Sequence, residues 1–418
     1  LRKSLQQQWA ARSYHSSEEH NSRAVINRYL GYWDGNPTTL TPLSLRDSAP
    51  LYVEMMGGAS KRKKTMMNAL KNRSTLIWIL LAAFGAVLFG ACLDSSALAG
   101  ETLKRVRANN KIRCGVSEQL LGFSRQDENG SWRGFNVDFC RAVAAAVLGD
   151  PEKVSFIPLT SPNRFPVLLS NGVDLLAHTI TWTLGREAGI GIEFPGIYFY
   201  DGQSFAVPAD NKTASRFEDL DGMTICVEKG TTHQANMTHF FDKRGIKYTP
   251  LVVDSQNEMG KAVVEGRCQA CTAERSVLAA LIASARNGAE RFKILPGKIS
   301  KEPLAPAVLH GDNEWAIIIR WVLFALIEAE EHGVTSANVR RLQKETADPD
   351  LQWFLNFCGQ GGKALGLKPD WVADVIAAVG NYGEIYERNI GDGSTLKLER
   401  GLNRLWKDGG LLYAPSFQ

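Results

Sequence analysis

Arg186, Glu274 and the run Gly230-Thr231-Thr232 are the residues of this chain best suited to binding chemistry. A guanidinium presents a rigid fork of donors that matches a carboxylate. Arg186 stands shortly after an apolar run, Asp174–Ala177, that reads as a strand. A solvated surface position is otherwise the commoner fate of an arginine. Thr179 and Thr181 end that same strand, where hydroxyls and backbone groups could bond a small polar ligand. Gly230 permits a tight turn, and a helix opening at Thr231 would turn free N–H groups toward an anion. Thr231 or Thr232 could equally cap that helix. Glu274 follows another strand and offers a carboxylate to a cation, or caps the next helix.

These residues need elements to position them, and the chain supplies two similar sets. Lys111–Val116, Val154–Leu159 and Asp174–Ala177 read as strands. Between them lie a helix from Asn136 to Leu148, with Cys140, Val143, Ala144 and Val147 on one face, and a short one from Arg164 to Ser170. The order recurs with strands Met223–Val227, Leu251–Val253 and Cys268–Thr272, and helices Thr231–Lys243, Asn257–Val264 and Arg275–Ala285. Strands separated by helices imply parallel βαβ units. Two such sets predict two α/β lobes, with ligand held outside the carboxyl ends of the strands and between the lobes. Ser204–Pro208 and Ile299–Pro306, extended and proline-containing, flank the second set and read as paired crossovers. The expected organisation is lobe 1 over 100–206, lobe 2 over 207–304 and a return to lobe 1 over 305–418, where Trp315, Ile318, Ile319, Val322, Leu323 and Leu326 form a core-facing helical stripe.

The 418 residues are 44% hydrophobic and 22% charged, a globular composition that excludes a disordered or collagen-like chain. Net charge is only +4. The basic cluster Lys61–Lys64 precedes a segment that reads as an export leader, so no nucleic-acid partner is implied. In that leader, 66–99, a basic stretch from Met66 to Arg73 is followed by the apolar run Leu76–Ala91 and by Ala97-Leu98-Ala99, with cleavage expected before Gly100. The apolar run is shorter than the ~20 residues a membrane span needs, which disfavours an anchor. Residues 1–65 show no sustained periodicity and read as an extension, either a disordered tail or sequence upstream of a start at Met66 or Met67.

Several runs together resemble a known family. They are Gly134-Phe135-Asn136-Val137-Asp138-Phe139, Thr181-Trp182-Thr183-Leu184-Gly185-Arg186-Glu187, Glu228-Lys229-Gly230-Thr231-Thr232, Ile299–Leu304, Val379–Asn389 and Leu398–Trp406. In this order they are similar to the solute-binding proteins of polar amino-acid ABC importers, in their general L-amino-acid subgroup. The likeness covers residues 100 to 418. It implies a type II periplasmic-binding-protein fold that closes on an L-amino acid, delivers it to an inner-membrane permease, and works as a monomer in the periplasm without cofactor or metal. It implies further that Arg186 grips the ligand carboxylate, that Thr181 rather than Thr179 is the better matched threonine, and that Phe123 packs over the ligand backbone unless it is simply core. Glu274 stands where the family usually has Asp for the ligand ammonium, one methylene longer. His178 stands where the subgroup tends to carry Arg and reads as a packing residue. Trp182 reads as wall or core.

Seven cysteines occur, six of them after the leader, and export permits disulfides. Cys114 could pair with Cys140 and Cys226 with Cys268, from their places on neighbouring elements. Cys268-Gln269-Ala270-Cys271 has redox spacing but is expected within a strand, not at a helix start. An enzyme on the same fold, dehydratase-like, would need a poised acid or base; Glu274 and His178 are the candidates. A ligand-sensing domain is the third reading. Gly359–Ala364 is glycine-rich but lacks P-loop spacing.

Overall fold

The computed structural model describes residues 100–285, 288–357 and 359–417. The expected extension (1–65), the expected leader (66–99), Cys92 and Cys358 lie outside the described residues.

The first set of elements runs α1 (Glu101–Asn109), β1 (Ile112–Ser117), the hairpin β2–β3 (Arg125–Gln126 and Trp132–Arg133), α2 (Phe135–Leu148), β4 (Val154–Leu159), α3 (Arg164–Leu169), β5 (Leu175–Thr181), α4 (Leu184–Ile190), β6 (Ile192–Glu193) and β7 (Phe199–Asp201). The second runs β8 (Gln203–Pro208), β9 (Met223–Glu228), α5 (His233–Asp242), β10 (Tyr248–Val253), α6 (Gln256–Val264), β11 (Ala270–Glu274), α7 (Arg275–Ser284) and β12 (Phe292–Ile294). The chain returns through β13 (Glu302–Leu309) into α8 (Asn313–Glu331), α9 (Val339–Glu345), α10 (Trp371–Val379) and α11 (Tyr382–Asn389).

Both sheets share one order. In the first, β1 lies between β4 and β5, all parallel, and β13 adds to β5 antiparallel. In the second, β9 lies between β10 and β11, all parallel, and β8 adds to β11 antiparallel. In each lobe the antiparallel strand is the one that connects to the other lobe. The result is a two-lobed α/β fold of the type II binding-protein kind.

The crossovers lie slightly outside the expected segments. Ser204–Pro208 is already within β8, paired with β11, and Glu302 already pairs with Asp201 of β7. The chain therefore changes lobe at Asp201–Gln203 and again between Leu295 and Glu302. The two crossings run side by side, with the Ile299 N–H donating to the Gln203 carbonyl at 2.8 Å.

Hydrophobic patterning explains the packing. The expected stripe of α8 is wholly buried, and α10 packs against α2 and α8. Cys114 of β1 is disulfide-bonded to Cys140 of α2, and Cys226 of β9 to Cys268. Cys268 lies just before β11 rather than within it, and Cys271 is a buried free thiol inside β11. The redox spacing therefore joins a structural half-cystine to a thiol whose pKa burial pushes up to about 12, which leaves no reactive thiolate at neutral pH. Among the described residues no helix is long and apolar enough to cross a membrane, and no group of three or more His, Cys, Asp and Glu could hold a metal.

Candidate functional site

The carboxyl ends of β5 and β11 face each other across the crossing point, and the residues after them enclose a small polar pocket. Ser161, Arg164, Thr179, Thr181 and Arg186 line it from lobe 1. Glu228, Thr231, Thr232, His233, Gln256 and Glu274 line it from lobe 2.

The lobe 1 wall is cationic. Arg186 is the third residue of α4, whose first turn is set by the Thr183 hydroxyl accepting from the Arg186 N–H at 3.2 Å. Its side chain is 9% exposed, donates to the Thr181 carbonyl at 2.8 Å, and lies over the Phe165 ring. Arg164, at the start of α3, is 3% exposed and lies over the same ring. It donates to the Gly230 carbonyl at 3.3 Å and to the His178 Nδ1 at 3.3 Å, and its Nε has no partner. Among the described residues neither guanidinium has a carboxylate within ion-pair distance. Burial pushes the Arg164 pKa down to about 9, with Arg186 repelling it. Burial lowers Arg186 too, against the pull of Glu274 and Glu302. Two buried cations that meet only carbonyls, an imidazole and a ring leave an electrostatic demand for an anion.

The lobe 2 wall carries the carboxylates. Glu274 is the N-cap residue of α7 but makes no side-chain cap bond. The Asp201 carboxylate, from the first crossing, caps that helix instead, accepting from the Ser276 N–H at 3.0 Å. Glu274 is thereby free to turn to the pocket, where its Oε2 lies 2.9 Å from the His233 Nε2, both side chains being buried. Burial alone would raise the Glu274 pKa and lower that of His233; their attraction outweighs it and moves each the other way. Glu228 is raised by burial, with Arg164 opposing.

Four more expected residues, Thr179, Thr181, Thr231 and Thr232, line this pocket, and Gly230 stands beside it. Gly230, at φ 77°, approaches the other lobe so closely that a Cβ would lie 3.1 Å from the Ser161 carbonyl oxygen. Only glycine suits both the backbone and this contact. Thr231 donates to the Glu228 carbonyl at 2.7 Å. The Thr181 and Thr232 hydroxyls both donate to the Glu302 carboxylate, at 2.5 and 3.0 Å. Thr179 has φ 48°, rare for a β-branched residue. It sits where the pairing of β5 with β13 slips register between Ala305 and Ala307. A bulge of this kind re-aims side chains next to a site.

Phe123 does not join them. It is buried in the lobe 1 core, edge-on to Phe199 at 5.4 Å and to Phe135 at 6.4 Å. The turn Leu120–Ser124 is folded back by the Leu120 carbonyl, which accepts from the N–H groups of Phe123 and Ser124, and the ring turns inward. Phe123 thus takes the core position that the sequence left open as the alternative to a ligand-stacking ring. Trp182 stacks on Phe194, donates to Glu187 and packs against the lobe 1 core. His178 is buried, its Nε2–H donating to the Leu159 carbonyl at 2.7 Å, which leaves Nδ1 to accept from Arg164. Burial and Arg164 drive its pKa down to about 3. The imidazole is therefore neutral and holds Arg164 in place. Neither His178 nor the depressed Glu274 has the near-neutral pKa expected of a general acid or base.

Arg164, Glu228, His233, Gln256 and Glu302 were missed in the sequence. Arg164 opens a helix, Glu228 ends the strand before Gly230, and His233 directly follows Thr232; adjacency to the motifs already chosen was the available signal.

A family model, bacterial extracellular solute-binding proteins, family 3, matches residues 112–392. The chain is 44% identical over 339 residues to the general L-amino acid-binding periplasmic protein AapJ of Rhizobium johnstonii, covering 81% of this chain and 98% of that protein. It is 43% identical over 339 residues to the glutamate/glutamine/aspartate/asparagine-binding protein BztA of Rhodobacter capsulatus, covering 81% of this chain and 99% of that one. A solved structure, an ABC transporter/periplasmic binding protein from Brucella ovis with glutathione bound, superposes with TM-score 0.73 and 42% identity, covering 76% of this chain and 99% of that chain. Residues 1–82 match a separate model, alkyl sulfatase dimerisation. A 129-residue match, 33% identical, to the (R)-specific secondary-alkylsulfatase of Pseudomonas sp. covers 17% of that enzyme. That similarity was not legible in the composition of residues 1–65. The chain belongs to the bacterial extracellular solute-binding proteins of family 3.

Proposed function

We propose that the protein is the amino-acid-binding component of an ABC importer, closing its two lobes on an L-amino acid and presenting it to membrane permease subunits. One observation carries this: two buried guanidiniums without a carboxylate partner on lobe 1 face, on lobe 2, the Glu274 carboxylate paired with the His233 imidazole. A zwitterion fits between them, its carboxylate on Arg186 and its ammonium toward Glu274. Arg164, the second guanidinium without a carboxylate, favours ligands with a further anionic or polar group, in keeping with the ligands named for the Rhodobacter and Brucella relatives.

Binding needs no chemistry on the ligand, and we assign no reaction to the site. The protein acts as a monomer in the periplasm. An export leader over 66–99 with cleavage after Ala99 rests on the basic stretch, the apolar run and the Ala97-Leu98-Ala99 motif. Calorimetric titration of the protein, refolded free of carried-over ligand, with L-amino acids and glutathione tests the function. Saturable binding to one or more supports it; a folded protein that binds none overturns it. N-terminal sequencing of the exported protein tests the leader, with Gly100 as the expected first residue.

A further inference from the structure

Glu302 stands where the return strand β13 leaves the second crossing, opposite Asp201 of the first. Its side chain is essentially excluded from solvent. Four donors converge on its carboxylate. Oε2 accepts from the Thr181 hydroxyl at 2.5 Å and the Thr232 hydroxyl at 3.0 Å. Oε1 accepts from the Asn236 amide at 2.7 Å and the Ser300 hydroxyl at 2.5 Å. Thr181 belongs to lobe 1, Thr232 and Asn236 to the start of α5 in lobe 2, and Ser300 to the crossing itself. Among the described residues no cation lies within ion-pair distance, so hydrogen-bond donors are the carboxylate's direct partners, with Arg186 and His233 attracting it from farther away.

We infer that Glu302 is the positioning residue that couples lobe closure to ligand capture. Its four donors come together only while the lobes are closed. Opening separates Thr181 from Thr232 and Asn236, and strips a buried carboxylate of partners on at least one side, a costly state. The carboxylate thus favours closure whatever side chain the ligand carries. It also fixes the direction of two hydroxyls. Thr181 and Thr232 line the pocket, and each spends its single proton on Glu302. Toward the pocket they are therefore acceptors only, and the ligand group they suit is a donor such as an ammonium rather than a carboxylate. The sequence left the direction of the Thr181 hydroxyl open, and its hydrogen bond to Glu302 sets it.

The inference rests on the amino-acid reading of the cleft for its ligand terms, but not for closure. Two variants test it. Glu302→Gln keeps the shape and replaces one acceptor oxygen by a donor. Asn236→Ala removes one donor and does not line the pocket. The measurements are Kd across a panel of L-amino acids, dissociation rate by stopped flow, and the lobe-to-lobe distance between two spin labels in ligand-free protein. Glu302→Gln should weaken every ligand by a similar factor, about 10- to 100-fold for one to two charge-assisted hydrogen bonds. The loss should appear mainly as faster dissociation, with the ligand-free distance distribution shifted toward open. Asn236→Ala should do the same by roughly 3- to 10-fold. It decides the matter alone if the Glu302 variant does not fold. Unchanged affinities and distances in the folded variants would overturn the inference. A changed rank order among ligands would also overturn it, by making Glu302 a recognition group. If the wild-type protein binds no amino acid, the functional reading fails while the distance measurement still judges the closure role.

Discussion

Replacing Arg186 by alanine should separate binding from folding in this protein. In the liganded state the guanidinium would hold a desolvated carboxylate, and truncating one partner of such a pair costs about 2–5 kcal/mol. At 1.4 kcal/mol per factor of ten, Kd should rise roughly 30- to 3,000-fold. In the unliganded state the account is different. Arg186 loses one good hydrogen bond, to the Thr181 carbonyl at 2.8 Å, worth about 1 kcal/mol. Against that, its buried charge has no carboxylate partner and repels Arg164. It also sits in the first turn of α4, where the helix dipole disfavours a cation and alanine is the better helix former. These contributions nearly cancel, so the thermal midpoint without ligand should stay within a few degrees of wild type. The stabilisation that ligand confers on the wild-type protein should vanish. Calorimetric titration paired with thermal unfolding, with and without ligand, reads both quantities. A Kd changed by less than about threefold, or an unliganded midpoint lowered by ~10 °C, would refute the assignment of Arg186 as an anion receptor held ready at an energetic cost.

Other expectations follow from the same geometry. Glu274 is held below its usual 4.5 and His233 above its usual 6.5. The stability contributed by Glu274 is present above its unfolded value and lost as pH falls through the depressed one; that of His233 is present below its unfolded value and lost as pH rises through the raised one. The difference in unfolding free energy between wild type and His233→Gln should therefore be largest between these limits and shrink on both sides; a difference that does not vary from pH 4 to 9 would contradict the ion pair. Gly230→Ala should weaken binding by at least tenfold, because the methyl group meets the Ser161–Pro162 backbone of the other lobe and the positive φ is strained; titration reads it, and unchanged affinity would place the closed contact elsewhere. Cys226→Ser with Cys268→Ser opens a loop of 42 residues, for which chain entropy gives about 4 kcal/mol, and the thermal midpoint should fall by on the order of 10 °C. Phe123→Leu should lower stability by about 1 kcal/mol and leave Kd unchanged, since the ring faces the lobe 1 core; a selective loss of affinity would return it to the binding site.

Local pattern was enough for the elements. Helix and strand periods differ, glycine ends helices such as α2 at Gly149, and every strand of the two βαβ sets was legible to within a few residues. Two lobes, the stripe of α8 and the threonine, arginine and glycine turns at the ends of strands were therefore available from the sequence, and with them the family. Tertiary structure decided what each polar side chain faces. Glu274 could have capped α7 by sequence; the distant Asp201 takes that bond and leaves Glu274 to His233. Phe123 could have met a ligand; a turn folds its ring into the core. The Thr181 hydroxyl could have faced either end of an amino acid; Glu302, more than a hundred residues later, accepts its hydrogen bond. Arg164, Glu228 and His233 carry no signature of their own because their partners lie on other strands and in the other lobe. Periodicity is a property of neighbours in the chain, whereas the charge and hydrogen-bond pairing of a buried site depends on which separated segments meet when the lobes close.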